Sequence, residues 1–594
     1  MRNILGIDFG TTNSLIGYLD KDTPKLIPNS RDSLLTPSVV GMSETGDLLV
    51  GEAAKNQSIA FPDRTVASIK RMLGEDKTIT LGKEQFTPQE IAGAIIKRLK
   101  LDAEEHLGEI VEEAVITVPA YFSDAQRQAV KDAGEIAGFV VERILNEPTA
   151  AALAYGINSE SKDTIMVYDF GGGTFDVSII RAREGAFRVL ATNGDVKLGG
   201  DDMDWAIAEW LKKNFKKSEK VDLEGKEIDE IQRRVIQQRL KDAAETAKKD
   251  LTEHLETTIN LPFIYTESEE PKHLKTTLSR TQLEEIIEPF IEKTKSPLEK
   301  SMKDAKLKYE DLDSILLVGG TTRIPKVKQF VEDLVGKTLE HKVDPEQSVA
   351  LGAAIQAGVK RGKLQEMVIV DVAPHSLGIE VKDGKFSVII PRNTAIPCSK
   401  KKPYVTTQDM QTEAQITVYQ GEKEVASANP KLGDFVFSGI DSQEAGKALV
   451  DVLFDYDING IVKVTAKDRA TKKVKSVSFK TSQKRLTAEE VREAQLEIGV
   501  RTSQKENEIG ETSEANALIY EAEAFIRDRK KFIEKPTKDS LRTAIANLQR
   551  AIDHDEDKVK SEIEHLQIIL SDAEITVMSA EDEQKNEEQE QKDE

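Results

Sequence analysis

Two stretches of this chain end an apolar run in Asp-Phe-Gly and continue with small Gly and Thr residues. Residues 4–19 read ILGIDFGTTNSLIGYL, and about 160 positions later residues 165–180 read IMVYDFGGGTFDVSII. Each copy predicts two β-strands joined by a turn whose small residues let backbone N–H groups approach an anion. Asp8 and Asp169 end the first strand of each copy, where a carboxylate can hold a divalent cation. Two such turns facing each other across a cleft would grip a nucleotide triphosphate from both sides.

Four further segments point to the same chemistry. VGGTTRIPKV (318–327) is a strand ending in Gly319-Gly320, with Thr321, Thr322 and then Arg323, whose guanidinium suits stacking on an adenine ring. LNEPTAAALAYG (145–156) sets Glu147 just before Pro148, which opens a helix at its first turn. SIKRMLG (68–74) offers Lys70, read here as a mobile positive charge for a γ-phosphate or an attacking water. GDVKLGGDD (194–202) adds the Gly199-Gly200 turn. Phosphoryl transfer needs charge neutralisation, a metal and in-line positioning more than a covalent nucleophile, and this set matches that need. Hairpin turns alone would account for any one Gly-Gly pair but not for all of them together. Two other motifs fail. Gly336-Lys337-Thr338 lacks the first glycine of a P-loop, since residue 331 is Val, and Asp455-Tyr-Asp457-Ile-Asn459-Gly460 lacks the bidentate Glu of a calcium loop, since position 466 is Ala.

The elements that must position these residues follow from the rest of the chain. Its 594 residues predict three or four domains of ordinary globular composition, 39% hydrophobic and 32% charged. A net charge of −22 argues against nonspecific nucleic-acid binding and against an anionic membrane surface. No apolar run is long enough to span a membrane, and a strand beginning at Ile4 leaves no room for a signal peptide. Cys398 is the single cysteine, so a disulfide within the chain is excluded and a reducing cytoplasm is the expected location. Seven scattered histidines argue against zinc. Residues 1–362 alternate strands such as 111–120 and 314–320 with amphipathic helices such as 123–138 and 233–251, an α/β pattern. Residues 363–372 turn polar and then apolar, ending in MVIVDV. From 373 to 485 short alternating strands predict an antiparallel β-sandwich, and 486–578 read as helices. The tail at 579–594 carries eight acids against two lysines and is expected to be disordered.

The segments IDFGTTNS, VPAYFSDAQRQA, LNEPTAAALAYG, DFGGGTFDVS, GGDD and VGGTTRIPKV together resemble the seventy-kilodalton heat-shock chaperone family of the DnaK type. The resemblance continues through SLGIE, RNTAIP and QGE and so covers nearly the whole chain. It implies a multidomain protein: an α/β, actin-like, two-lobed ATPase domain, a linker, a peptide-binding antiparallel β-sandwich and an α-helical lid. It implies ATP or ADP with Mg²⁺ as cofactors, K⁺ as a further candidate cation, and unfolded polypeptide clients. A J-domain co-chaperone and a nucleotide exchange factor are the implied partners.

By the same resemblance, Gly10-Thr11-Thr12-Asn13 and Gly171-Gly172-Gly173-Thr174 are the two phosphate loops, joined by Gly199 and Gly200. Asp8, Glu147 and Asp169 would surround magnesium, largely through water. Lys70 would be the catalytic lysine and Thr174 the threonine that autophosphorylates in bacterial relatives. Glu245, Lys248, Lys249 and Thr252 fall where the family holds ribose and adenine, Thr252 standing where Ser is usual. Arg323 and Gly320, with Gly319, Thr321 and Thr322, would close the adenine pocket from the other lobe. Pro119, Arg127 and the linker's Asp371 resemble the switch that reports nucleotide state. Ile379, Val381, Tyr404, Ala414, Ile416, Val418 and Val450 match the peptide cleft. Lys382 and Thr407 replace an apolar arch and Ala414 a larger floor residue, which implies a wider pocket and a looser clamp.

MVIVDV has two readings from its residues: a docked linker, or the first strand of the sandwich. For the whole chain the leading expectation is an ATP-driven chaperone. A metabolic kinase shares such an ATPase core but has no use for the residues after 372, and a filament-forming protein fits the added domains and acidic tail poorly.

Overall fold

In the computed structural model the described residues are 3–156, 163–183, 185–226, 228–267, 270–339, 344–362, 367–458, 460–478 and 486–502. Beyond these, 515, 518–519, 521–523, 525–526, 533–554, 558–573 and 576–577 are described. The acidic tail at 579–594, residues 363–366 of the expected linker and much of the expected helix at 514–535 lie outside them.

The sequence repeat folds as two sheets of matching topology. In the first lobe the strand Ile4–Asp8 runs parallel to Glu113–Val118 on one side and antiparallel to Asn13–Asp20 on the other. In the second lobe Asp163–Phe170 runs parallel to Ser314–Val318 and antiparallel to Phe175–Arg183. These central strands are apolar on both faces, as a sheet covered by helices requires. The helices Pro88–Leu107 and Asp124–Ile136 cover the first sheet, the latter opened by a Ser123 capping box, the signal expected from its sequence. Gly200–Glu219, Glu230–Glu253 and Arg280–Ala305 cover the second.

Two helices rich in Ala and Gly, Glu147–Gly156 and Ser348–Lys360, cross between the lobes. They approach so closely that a Cβ on Gly352 would stand 1.8 Å from the Ala150 carbonyl oxygen. Small residues here let the two sheets share a seam at the base of the cleft.

The apolar hexapeptide contributes the strand Val368–Val372, which resolves its two readings in an unexpected way. It pairs in parallel with Ala186–Asp195 at the edge of the second lobe's sheet, and its far side carries the short strand Ala395–Ile396. One edge strand thus continues the lobe's sheet and joins it to the following body, burying Asp371 and Val372 while Val368 stays exposed. That body consists of two four-stranded antiparallel sheets, from Leu377 to Ser438 and from Cys398 to Ser478, whose inner faces share one apolar core. Asp457, in the segment that fails as a calcium loop, lies in a hairpin turn, its N–H donating to the Ile461 carbonyl at 3.1 Å.

The paired sheets sit against both lobes. Arg392 donates to Asp304 at 3.0 Å, and Asn393 donates to the same carboxylate at 3.0 Å. His375 is half-buried against the first lobe, its ring 4.2 Å from that of Tyr121 and its Nε2 3.1 Å from the Tyr121 carbonyl oxygen. After residue 485, the helix Ala488–Arg501 inserts Ala494 and Ile498 into the first lobe's core.

Burial lowers the His375 pKa from 6.5 to about 4; the nearby Arg127 and Arg392 charges add to this, while the hydrogen bond to Tyr121 opposes it. Other charges at this junction are Asp304 and Glu422, which hold Arg392. A depressed histidine pKa favours the docked arrangement above 6.5, and that preference is lost as pH falls from 6.5 toward about 4. Hydrogen exchange at the amides of Val368–Val372, corrected for intrinsic rates, should accelerate across that window, and His375→Gln should remove the step. An unchanged step in His375→Gln would exclude this histidine as its source.

Candidate functional site

The Asp-Phe-Gly turns meet across the cleft. A Cβ added to Gly172 would lie 1.9 Å from the Thr12 hydroxyl oxygen, and one on Gly173 would lie 2.5 Å from the Thr11 methyl carbon. Only glycine lets the second turn come this near to the first. The turns are held by their own backbone: Gly171 N–H donates to the Thr174 carbonyl at 3.1 Å, and Gly200 N–H to the Gly171 carbonyl at 3.0 Å. Ser38 fixes the other side, its hydroxyl donating to the Gly10 carbonyl at 2.9 Å. Thr321 ties the third turn to the second by donating to the Gly171 carbonyl at 2.9 Å. Thr322 closes that turn on itself through the Gly319 carbonyl at 2.7 Å.

Beneath the turns lies a group of buried charges. Lys70 Nζ pairs with Glu147 Oε1 at 2.5 Å, and its side chain is only 2% exposed. The Phe9 and Phe122 rings flank the ammonium at 5.8 and 5.9 Å. The expectation of a mobile lysine is therefore corrected: burial without a partner would be too costly, so the pair fixes the side chain. Asp8, which accepts from the Thr117 hydroxyl at 3.1 Å, has a pKa raised to about 7 by burial and then by Glu147, with Lys70 and Thr117 opposing. Asp169 is raised well above the usual carboxylate range by burial and by Glu147, Asp176 and Asp8. Asp176 is raised to about 7 by burial and Glu147, although the Tyr121 N–H donates to it at 3.1 Å.

Asp176 is a residue that reading for turns missed. It follows the second turn in an otherwise apolar strand buried on both faces, and an acid within such a run was the available signal. Two cross-cleft contacts were missed as well. Ser68 donates to Asp201, and Arg71 forks onto Asp202 at 2.9 and 3.1 Å, tying the Lys70 segment to the start of Gly200–Glu219.

The nucleobase side of the cleft needs a second correction. Arg323 was expected to face Glu245, Lys248, Lys249 and Thr252 from the other lobe, but all five line a cavity of about 370 Å³ and belong to the second lobe. Ile324 and the helix residues Ala244, Ala247 and Leu251 share the second lobe's apolar core. Arg323 is gripped by Asp344 and Glu346, each at 3.0 Å, which keep its charge although burial opposes it. Lys248 pairs with Asp204 at 2.7 Å and also donates to the Gly200 carbonyl, and Lys249 pairs with Glu245 at 2.5 Å. The Thr252 hydroxyl donates to its own helix at the Lys249 carbonyl.

Of the residues read as a switch, Arg127 and Asp371 contact the chain neighbours of Glu147. Arg127 donates to the Ala120 and Phe122 carbonyls and, at 2.7 Å, to Asn146. Pro119 opens that turn, its carbonyl accepting from Phe122 N–H. Thr149 donates to Asp371 at 3.4 Å. Ile379, Ile416, Val418 and Val450 are buried in the core of the paired sheets, with Val381, Tyr404 and Ala414 packed at its margin.

Two α/β lobes of matched topology, closing phosphate-type turns and buried carboxylates on one cleft, define a two-lobed ATPase of the actin-like kind. The Hsp70 protein family model matches residues 4–80 and 75–579. The Chaperone protein DnaK from each of two strains of Halobacterium salinarum is 49% identical over 479 residues, 80% of this chain and 75% of that protein. The chain belongs to the Hsp70 family, and it is an ATP-dependent chaperone, an ATPase that assists protein folding.

The close approach of the two turns gives a direct test. Gly172→Ala should push Thr12 aside at an overpacking cost of about 1–3 kcal/mol. Affinity for a fluorescent ATP analogue should fall about tenfold or more, with the thermal unfolding midpoint lowered by a few degrees and the lobes still folded by circular dichroism. Unaltered affinity would mean that the turns do not close on the ligand.

Proposed function

We propose that ATP binds with Mg²⁺ between the lobes and that its hydrolysis controls an extended-peptide site in the paired sheets. The observation that carries this is the meeting of Thr11 and Thr12 with Gly172 and Gly173 above the buried Lys70–Glu147 pair. The residues suit the groups implied. Backbone N–H groups of Gly10–Asn13 and Gly172–Thr174 would cradle phosphates, with the Gly199-Gly200 turn packed beside them. Carboxylates driven toward protonation by burial are short of positive charge, which a divalent cation would supply. Among the described residues no three His, Cys, Asp or Glu side chains gather closely enough to ligate a bare ion. Asp8, Glu147 and Asp169 would therefore hold its waters. When bound, Mg²⁺ offsets the negative charge that phosphoryl transfer spreads over the phosphate oxygens.

In this reading Lys70, aimed by Glu147, stabilises the attacked phosphate and orients the attacking water. Arg323 would offer its guanidinium face to adenine, its position held by hydrogen bonds to Asp344 and Glu346. Glu245, Lys248, Lys249 and Thr252 would reach ribose and base after giving up their present partners. Thr174 is the candidate autophosphorylation site. Residues 1–362 would form the ATPase domain, 373–485 the peptide-binding sandwich and 486–578 its lid, in a cytoplasmic protein. Arg127, Pro119 and Asp371 would pass the state of the cleft to the linker. J-domain and exchange-factor partners are inferred from the family alone.

The peptide cleft would use Ile379, Val381, Tyr404, Ala414, Ile416, Val418 and Val450, with main-chain hydrogen bonds giving affinity and the apolar pocket selecting side chains. Lys382 and Thr407 in place of an apolar arch predict weaker retention of Leu-rich peptides than in relatives with that arch, measured as a faster dissociation rate in ADP. Restoring the arch with Lys382→Met and Thr407→Ala should slow dissociation; tight binding by the unaltered chain would contradict the reading.

The decisive measurement is ATP hydrolysis with and without an unfolded apolar peptide, in the natural chain and in Lys70→Ala. Peptide, and not sugars, should stimulate the natural chain. Lys70→Ala should lose about 10²-fold or more in turnover while still binding ATP. Full turnover in that variant would refute the role given to Lys70, and stimulation by a sugar would favour a kinase.

A further inference from the structure

Apart from the cleft between the lobes, three helices enclose a separate cavity of about 240 Å³. Its walls are the first turn of Pro88–Leu107, one face of Asp124–Ile136 and one face of Ala488–Arg501. Helical spacing makes those faces. Ala125, Gln128, Ala129 and Asp132 stand at steps of three, one and three, and so do Glu490, Glu493, Ala494 and Glu497.

The floor is buried. Ala129 and Ala494 lie there with Gln128 and Asp132, and the Gln128 amide donates to the Asp132 carboxylate at 2.7 Å. Gln89, in the first turn of Pro88–Leu107, lines the same cavity and is only 8% exposed. Among the described residues its side-chain amide has no hydrogen-bond partner. A buried amide left so is costly, and a polar ligand in the cavity would complete it.

The rim is acidic. The lobe contributes Glu75, Asp76 and Glu90 besides Asp132, and the C-terminal helix contributes Glu490, Glu493 and Glu497. Lys77 belongs to the lining, while Lys197 and Arg501 reach Glu75 and Glu497 from outside it, at 3.2 and 3.1 Å. Seven carboxylates against these three cations leave the cavity strongly negative. Several are fixed in place. The Thr87 N–H donates to Glu90 at 2.6 Å, the Thr487 N–H to Glu490 at 2.6 Å, and Lys77 pairs with Glu75 at 2.7 Å. Bringing the acids of one wall up to those of another is unfavourable unless positive charge comes between them.

The form of that charge is restricted. Among the described residues no three His, Cys, Asp or Glu side chains lie close enough to ligate one metal ion. Carboxylates spread along a rim suit separated ammonium groups better than a single dense cation. Pro88, Ala125, Ala129 and Leu486 supply apolar surface against which a methylene chain can lie. The volume falls below the roughly 300–1,000 Å³ of pockets for drug-sized ligands and suits a slender one.

We propose that this cavity binds a linear polyamine, its ammonium groups donating to the rim carboxylates and to Gln89 Oε1 while its methylene chain lies on the apolar lining. The ligand touches both walls and so bridges Ala488–Arg501 to the first lobe.

Calorimetry with spermidine on the full chain tests it. One spermidine should bind per chain, and Mg²⁺ at equal concentration should not displace it. Affinity should fall about tenfold in Gln89→Leu and in Glu493→Lys, which change opposite walls. Glu493 is exposed, so its replacement should leave the fold intact by circular dichroism. Glu444→Lys, in the loop before Leu449–Tyr456 of the paired sheets, should leave affinity unchanged. Spermidine should slow hydrogen exchange at residues 128–132 and 490–497 alike. Many weak sites, equal losses in all three variants, or protection of one wall alone would overturn the site as diffuse attraction to an acidic surface. Displacement by Mg²⁺ would overturn the polyamine in favour of a metal ion, and no binding would overturn both.

Discussion

One buried ammonium, that of Lys70, stands among the carboxylates of Glu147, Asp8, Asp169 and Asp176, and this imbalance of charge governs the molecule. Removing such groups from water costs several kcal/mol for each ion, and a single lysine cannot offset all of them. Much of the surrounding structure serves to hold that arrangement: the Phe9 and Phe122 rings, the Thr117 hydroxyl and the Tyr121 N–H. Asp8 and Lys70 come from the first lobe, Asp169 and Asp176 from the second, and Glu147 from a crossing helix. Any change in the angle between lobes therefore alters the charge balance, and any cation bound there alters the preferred angle. A cleft whose electrostatics depend on closure is suited to sensing a bound triphosphate.

The route from that charge set to the rest of the chain is short. Asn146 accepts from Arg127, Glu147 pairs with Lys70, and Thr149 donates to Asp371. Within four consecutive positions the chain touches the catalytic candidate, the switch candidate and the edge strand that carries the paired sheets. Arg127 also borders the Gly460 turn of those sheets. Such spatial continuity supplies a common element on which both sites can act. C-terminal residues also touch each lobe: Arg501 pairs with Glu84 of the first at 3.5 Å, and the Phe525 ring lies 5.4 Å from that of Phe263 in the second.

Much of this was legible in the residues. The strand-turn-strand signature gave both central hairpins, because alternation of turn glycine and apolar runs is a local property. The Ser123 cap and the helix opening at Glu147 were legible for the same reason. Lys70 was misread as mobile because its sequence context shows no acid; its partner is far away in the chain. The lobe to which Arg323 belongs was misread because the strand before it joins the second sheet only in the folded state. The hexapeptide MVIVDV held two readings because an apolar strand does not announce its partner. The fold gave it two partners, one on each side.

The sequence by itself determined where the chain turns, which residue types suited to phosphate and metal chemistry stand at those turns, and that the motif occurs twice, since these follow from backbone freedom and side-chain type at adjacent positions. Only the tertiary structure decided which charges neutralise one another, how near Gly172 comes to Thr12, and that Phe263 faces Phe525. Those outcomes depend on burial and on distances between segments remote in the chain, and desolvation acts only once the lobes have closed around the groups concerned.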